Sequence, residues 1–390
     1  MDQFSGARSI VCGMIVIVIA GFIYRSKGYS VSPDQQFKIY QEMPFEKMVS
    51  LAERGSNEMQ FLVGWAYERG KSGIQINLPK AIQWYEKSAK DGNTNAKVAL
   101  ARLYEYGRGV CLSKEKAEML AKEALEGVKR DAETGDLFAQ YQMGWLYDEG
   151  VGVPEDNIEA VKWYRKAGNQ NFPAALNGLG IMYEEGEVVQ KDESEALRMF
   201  KKAAEQGYAL GACNLSRMYL DGKGVPKNDK EAAKWLGLAA EQGDVMGQTH
   251  LGSWFSQGIG VLKDENAAVK WFRKAAEQGF SPACGALGTM YLEGRGVKKD
   301  YVEAVKWFMK SAEHGNGLAY VYLGDAYENG SGVSKNMVEA YRWYNLAATT
   351  LQDDEIGKNV KKHRDFLETR MTPEQISEGQ KLATEWDKSH

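Results

Sequence analysis

Apolar residues recur along most of this chain at intervals of three and four, the period of a helix with one buried face. Ala283, Leu287 and Tyr291 stand four apart, one above another on a single helical face, and small Gly288 lets a partner helix come close. Further on, "EAVKWFMKSAEHG" (303–315) shows Ala304, the aromatic pair Trp307 and Phe308, and Ala312, again the stripe of an amphipathic helix. Between the two lies "YLEGRGV" (291–297). The pattern predicts a helical hairpin: helix A, a glycine turn, helix B.

The turn has its own logic. Gly294 falls where helix A must stop, a position that commonly takes the left-handed conformation. Asp300 precedes Glu303 by three residues, as Asp156 does Glu159, Asp192 Glu195, Asn228 Glu231 and Asn336 Glu339, the signature of a capping box at the start of helix B. A phosphate-cradling loop needs a Gly-Lys-Ser/Thr step after a strand; both are absent, so the glycines are punctuation.

The same hairpin returns eight times. Its first half reads "VGWAYERGKSG" (63–73), "LARLYEYGRGV" (100–110), "MGWLYDEGVGV" (143–153), "LGIMYEEGEVV" (179–189), "LSRMYLDGKGV" (215–225), "LGSWFSQGIGV" (251–261), "LGTMYLEGRGV" (287–297) and "LGDAYENGSGV" (323–333). From Gly144 to Gly324 the spacing is 36 residues each time, after first intervals of 37 and 43. A fixed period of this size is the mark of a stacked repeat array. Residues that return in every unit, such as Tyr147, Tyr183, Tyr219, Tyr291, Trp163, Trp235, Trp271 and Trp307, are expected to pack between helices.

With A-xxx-LG-xx-Y-xx-G-xGV and EA-xx-W[YF]-xx-AAEQG as its unit, the chain from about residue 45 to 350 resembles the Sel-one-like repeat family, a relative of the tetratricopeptide repeat. The segment "MTPEQISEGQKLATEW" (371–386) resembles the helix that often caps such arrays. The resemblance implies an all-α fold, a right-handed α-solenoid of about eight 36-residue helix-turn-helix repeats with a C-terminal capping helix, to which the apolar run at residues 10–24 adds an N-terminal anchor helix. It divides the chain into an anchor or signal peptide (1–28), an N-terminal half-repeat or cap (29–56), the solenoid (57–352) and C-terminal capping helices (353–390). Three departures stand out: "GEVV" (186–189) lacks the second glycine, Asn171 replaces a glycine, and residues 111–138 carry a longer second helix.

The implied function is that of a scaffold binding other proteins or peptides, often at a membrane or cell envelope. Stacked hairpins offer an extended surface rather than an enclosed pocket, and positions that vary between repeats carry the specificity. On helix A the residue after the glycine position faces away from the Ala/Leu/Tyr stripe: Trp65, Arg102, Trp145, Ile181, Arg217, Ser253, Thr289 and Asp325. Four positions earlier stand Phe61, Val98, Tyr141, Asn177, Cys213, Thr249, Gly285 and Val321. The expected concave binding face therefore comprises Phe61, Trp65, Arg102, Tyr141, Trp145, Arg217 and Asp325, since exposed aromatics beside arginines have the composition of interface hot spots. Packing of Trp65 and Trp145 against a neighbouring helix A is the alternative. Acidic Glu68, Glu105, Asp148 and Glu184 are expected to rim this face and to favour basic partner segments.

Composition and charge narrow the remaining classes. A net charge of -4 and a pI near 5.8 supply no general field for nucleic acid. Neither a GxSxG nor an HExxH constellation occurs, and the cysteine pair in each repeat of cysteine-rich relatives linked to β-lactam hydrolysis is absent, so no enzymatic activity, cofactor, metal or small-molecule substrate is expected. A regulator or assembly factor for an envelope system is the alternative form of the scaffold. Cys12, Cys111, Cys213 and Cys284 show no metal-ligand spacing with a histidine, and read as free or structural thiols.

The uncharged run Ile10 to Tyr24, "IVCGMIVIVIAGFIY", reads as a membrane anchor or a signal-peptide core. Its continuation past Val18-Ile19-Ala20 into Phe22, Ile23 and Tyr24 favours an uncleaved single-pass anchor. Charge is balanced about it, with Arg8 on one side and Arg25 and Lys27 on the other, and the solenoid is expected on the extracytoplasmic, periplasmic side.

Overall fold

In a computed structural model, which describes residues 43–70, 74–351 and 355–389, every regular element among the described residues is a helix, nineteen in all. The apolar run at 10–24 lies outside the described residues. Among those described, no helix is long and apolar enough to cross a membrane.

The chain divides into two units, one ending at Lys227 and one beginning at Asn228. The first holds α1 (Phe45–Glu53), α2 (Asn57–Arg69), α3 (Leu78–Lys90), α4 (Thr94–Glu105), α5 (Lys114–Glu133), α6 (Leu137–Glu149), α7 (Asn157–Asn169), α8 (Pro173–Glu185), α9 (Glu193–Glu205) and α10 (Ala209–Asp221). The second holds α11 (Asp229–Glu241), α12 (Val245–Gln257), α13 (Glu265–Glu277), α14 (Ser281–Glu293), α15 (Tyr301–Ala312), α16 (Gly317–Asn329), α17 (Met337–Thr350), α18 (Glu355–Glu368) and α19 (Pro373–Ser389). Within each unit a helix A packs on the helix B of its own repeat, and that helix B on the next helix A. In the first unit successive A helices also touch: α4 with α6, α6 with α8, α8 with α10.

The recurrent glycine of helix A is a packing device. A Cβ built on Gly288 would stand 2.6 Å from Cε1 of Phe308 on α15, and one on Gly180 equally close to Phe200 on α9. The buried ring is thus the second aromatic of the pair on helix B: Tyr164, Phe200, Phe272, Phe308 and Tyr344 are all buried, whereas Trp235 and Trp271 are half-exposed. Trp163 and Trp307 are buried as expected, but Tyr147, Tyr183, Tyr219 and Tyr291 are half-buried. In the second repeat Ala101 stands in the glycine's place and Ala121 in the ring's, both buried in one cluster. Gly288→Ala is expected to destabilise by about 1–3 kcal/mol, because the Phe308 ring must move. Gly237→Ala, a helical position with nothing within 4 Å of the added carbon, is expected to stabilise by about 0.5–1 kcal/mol. Denaturant midpoints measure both, and equal signs would contradict the assignment.

The turns follow the expected chemistry. Gly294 adopts φ +74° and its N–H bonds to the Met290 carbonyl, closing α14. Asn171, where other repeats have glycine, is the one non-glycine residue with positive φ among those described, at 57°. Each cap residue accepts at the start of helix B: Asp300 Oδ1 takes the N–H groups of Val302 and Glu303 at 3.0 Å. The capping glutamates instead pair with bases three residues on, Glu159 with Lys162, Glu195 with Arg198 and Glu303 with Lys306. Only the Asp/Asn half of the box is thus seen.

At its ends the array is covered. α1 packs on α2, with Phe45 edge-on to Tyr67 at 5.2 Å. α19, which contains most of the capping-helix segment, packs on α17 with Trp386 edge-on to Trp343 at 4.9 Å and Arg342 over both rings.

Candidate functional site

In the first unit the helix-A face expected to bind partners is occupied by the protein's own side chains. Phe61 is 3% exposed, Trp65 3%, Arg102 2%, Tyr141 6% and Trp145 4%. The expectation of a solvent-facing surface at these five positions is corrected, for a definite reason. The A helices of successive repeats approach closely, and two rings from later repeats enter the space they enclose: Phe172, at the cap position before α8, and Tyr208, at the cap position before α10.

Phe172 stacks on Trp65 at 5.7 Å and meets Phe138 at 5.0 Å and Tyr141 at 5.6 Å. Phe138 in turn stands edge-on to both Phe61 and Trp65 at 5.2 Å. Trp145 belongs to a separate cluster, its indole N–H donating to the Tyr106 hydroxyl at 3.2 Å. The other helix-A caps of the first unit carry a polar acceptor: Ser56, Asn93 and Asp136. In the first unit, aromatic residues at a position that elsewhere in that unit holds Ser, Asn or Asp were the overlooked signal that Phe172 and Tyr208 fold inward; Phe280 holds the same position in the second unit and is half-buried.

Charges lie inside this aromatic shell. Glu68, expected on the rim, is fully buried beside Arg69 and Arg102. Arg102 Nη2 donates to both Glu68 carboxylate oxygens at 3.1 and 2.8 Å, and the Tyr85 hydroxyl donates at 2.8 Å. Arg69 Nε lies 3.2 Å from Glu68 Oε1, while its Nη1 donates to the Tyr208 hydroxyl at 2.8 Å, 139 residues along the chain. Both guanidiniums lie over Trp65, their carbons 5.2 and 5.4 Å from its ring centre. Burial alone raises the Glu68 carboxyl, but Arg102, Arg69 and Arg108 outweigh it and hold it down at about 2. Burial opposes the charge on both arginines, and Glu68 outweighs it, so each is held more firmly protonated than in water.

The other expected positions are accessible to differing degrees. Arg217 is 40% exposed and donates to both oxygens of Glu184 at 2.6 and 2.5 Å, with Lys223 joining at 3.0 Å. Those bonds hold the Glu184 carboxyl at about 2. Among the described residues no cation pairs with Asp148: it accepts from Tyr164 at 3.0 Å, and burial pushes it up to about 6. In the second unit the same helix-A face is lined by small residues, with Thr249, Ser253, Gly285, Thr289 and Val321 half-buried and Asp325 exposed. The hydroxyls of Thr249 and Thr289 turn back onto carbonyls four residues earlier in their own helices. Asp325 accepts from Tyr344 at 2.6 Å, the same hydroxyl contacts Glu328 at 2.9 Å, and His363 lies 2.8 Å from that glutamate. Cys111 is exposed and Cys284 is buried, each a thiol outside any disulfide.

Paired helices repeating with an A-to-B, B-to-A order define this as a helical-repeat solenoid protein. The family model of the Sel1 repeat matches residues 57–93, 94–133, 137–172, 173–208, 209–244, 245–280, 281–316 and 317–349, and the chain belongs to that family. The crystal structure of a Sel1 repeat protein from Oxalobacter formigenes is similar at TM-score 0.54 and 27% identity, over 85% of this chain and 94% of that one. Among curated proteins, chitin synthase regulatory factor 3 of Schizosaccharomyces pombe is 30% identical over 148 residues, 38% of this chain and 14% of that protein. Chitin synthase regulator SKT5 of Saccharomyces cerevisiae is 28% identical over 149 residues, 38% of this chain and 20% of that protein. The chain thus spans a fifth or less of the length of these two relatives.

Proposed function

We propose that this protein is a non-catalytic adaptor, tethered to a membrane through residues 10–24, that holds a partner protein or peptide on its helix-A surface. The observation that carries the reading is the contrast within eight contiguous repeats. Buried rings fill the helix-A face across the first three repeats, whereas the second unit keeps small residues there and an exposed Asp325. A face built from Thr, Ser, Gly and Val admits an extended segment between helices. Asp325 and Glu328 give its far end a negative character suited to a basic side chain. The regulatory names of the two fungal relatives support a narrower form, in which the partner is a client enzyme whose activity or placement the adaptor controls.

The test is crosslinking in cells followed by purification from membranes, comparing the natural protein with Asp325→Lys at equal expression and helicity. Loss of a partner in the variant is the expected result, and the same partners at the same yield would refute this face. Alkaline carbonate washing examines the tether independently: release of the protein from the membrane pellet would sink it.

A further inference from the structure

Helix α18 is built with two unlike sides. Gly357, Val360 and Leu367 are buried, Arg364 donates to Asn345 on α17 at 3.1 Å, and Glu368 accepts from Tyr341 on the same helix at 2.6 Å. Lys358, Lys362 and Phe366 stand four apart, with Arg370 four further on, so they form one ridge on the side turned away from that packing. Lys358, Lys361, Lys362 and Arg370 are exposed, as are Phe366, at 55%, and Ile356, at 46%. The following helix α19 packs on α17 and leaves the ridge open.

The positive charge of the ridge is unanswered. The ion pairs of α18 join His363 to Glu328 and Arg364 to Asp365; among the described residues, none involves Lys358, Lys361 or Lys362. On the helices B, by contrast, Lys162, Arg198 and Lys306 each pair with a glutamate three residues earlier. The acids Asp353, Asp354 and Glu355 come ahead of the ridge in the sequence. Phe366 stands among the cations, its ring centre 5.9 Å from the Arg370 guanidinium carbon and 6.5 Å from the His363 ring.

We infer that this ridge docks on a membrane surface bearing anionic headgroups, with Lys358, Lys361, Lys362 and Arg370 among the headgroups and Phe366 at the acyl boundary. Each lysine held near such a surface is attracted to it, and a basic helix with an exposed ring on the same side has the composition of an interfacial helix. Two features favour lipid over nucleic acid. The chain as a whole is acidic, at a net charge of -4, and aliphatic Ile356 near the ridge serves neither phosphate contact nor base stacking. The site belongs to the capping region of the second unit and rests on neither the adaptor reading nor the tether at residues 10–24.

The experiment measures partition of the full chain onto vesicles of phosphatidylcholine alone and of phosphatidylcholine mixed equally with phosphatidylglycerol. The apolar run at 10–24 and the cations beside it are the same in every variant, so changes in the ratio of the two partition coefficients report on the ridge. Lys358→Glu combined with Lys362→Glu is expected to lower that ratio about tenfold to a hundredfold, and Phe366→Ala about threefold to tenfold. Lys230→Glu combined with Lys270→Glu, at exposed positions of α11 and α13, alters net charge equally and should leave the ratio within about twofold. All of these side chains are exposed, and helicity confirms that each variant folds. An unchanged ratio in the first variant, an equal fall in the control, or no response to Phe366→Ala overturns the proposal. Tighter binding to an RNA oligonucleotide than to the mixed vesicles, lost in the same variants, would overturn it in favour of nucleic acid.

Discussion

Replacing Glu68 with glutamine is expected to destabilise the protein by about 3–5 kcal/mol at neutral pH, because it strands the buried guanidiniums of Arg69 and Arg102 without their counter-charge. Glutamine has nearly the same shape, so packing around Phe61, Trp65 and Tyr85 changes little and the loss is electrostatic. The natural protein carries a matching pH signature. The Glu68 carboxyl falls from the ordinary 4.5 to about 2 on folding, so its contribution is fully present above pH 4.5 and is lost as pH drops through the window from 4.5 to 2. Its size follows by linkage, at roughly 3 kcal/mol. Glu68→Gln should lack that part of the acid slope. Urea unfolding of both proteins at neutral pH and at several points through that window measures the two effects together. A variant with unchanged neutral stability and the same acid slope would show that the pair is not the keystone of this interior.

Glu68 also shows where sequence reasoning stopped. The helices, the hairpin order, the left-handed turn at Gly294 and the caps at Asp156, Asp192 and Asp300 depend on residues near one another in sequence. A repeated period of 36 residues prints them many times over. The filling of the helix-A face has no such echo. It depends on Phe172 and Tyr208 meeting Trp65 and Arg69 across more than a hundred residues, a meeting set by how sharply successive repeats turn. Assigning Phe61, Trp65, Arg102, Tyr141 and Trp145 to one face of helix A was sound geometry, but whether that face meets water is a tertiary property. Arg69 carried a faint mark, since it occupies a place where the other turns have Tyr106, Glu149, Glu185, Asp221, Gln257, Glu293 or Asn329. An isolated cation next to an acid reads naturally as a solvated pair, and the aromatic caps that would have said otherwise are two and three repeats away.

The contrast between the units gives this a functional consequence. Side chains that fill a helix-A face contribute stability and remove surface from use, so the proposed partner site falls on the stretch that is not filled. On the proposed adaptor reading, the half-buried Thr249, Ser253, Gly285 and Thr289 leave the second unit's face without large anchoring side chains. Affinity there depends on a few side chains at the edge, which is why a charge reversal at Asp325 tests more than truncation of a buried ring.

Gly296→Ala is expected to cost about 2–5 kcal/mol, more than the same change two residues earlier at Gly294. Both glycines have positive φ, +64° and +74°, so each pays about 1–2 kcal/mol for a Cβ in the left-handed region. They differ in what that carbon meets. At Gly294 the nearest atom is Lys299 Cβ at 3.0 Å, on a neighbouring side chain. At Gly296 it runs into the Glu265 carbonyl and lies 2.9 Å from Asn266 N, the backbone of the first turn of α13 in the preceding repeat. That backbone cannot swing aside, so the turn must lift off and a further cost of about 1–3 kcal/mol follows, as for an overpacked core. The same approach occurs at Gly260 against Asp229 and at Gly332 against Tyr301, so the second glycine of the turn couples each repeat to the one before. Where stability is a sum of repeat and interface contributions, losing that coupling should also lower the denaturant m-value as the second unit stops unfolding as one. Equal losses for the two alanine variants would mean that glycine is required at both places for its backbone angle alone.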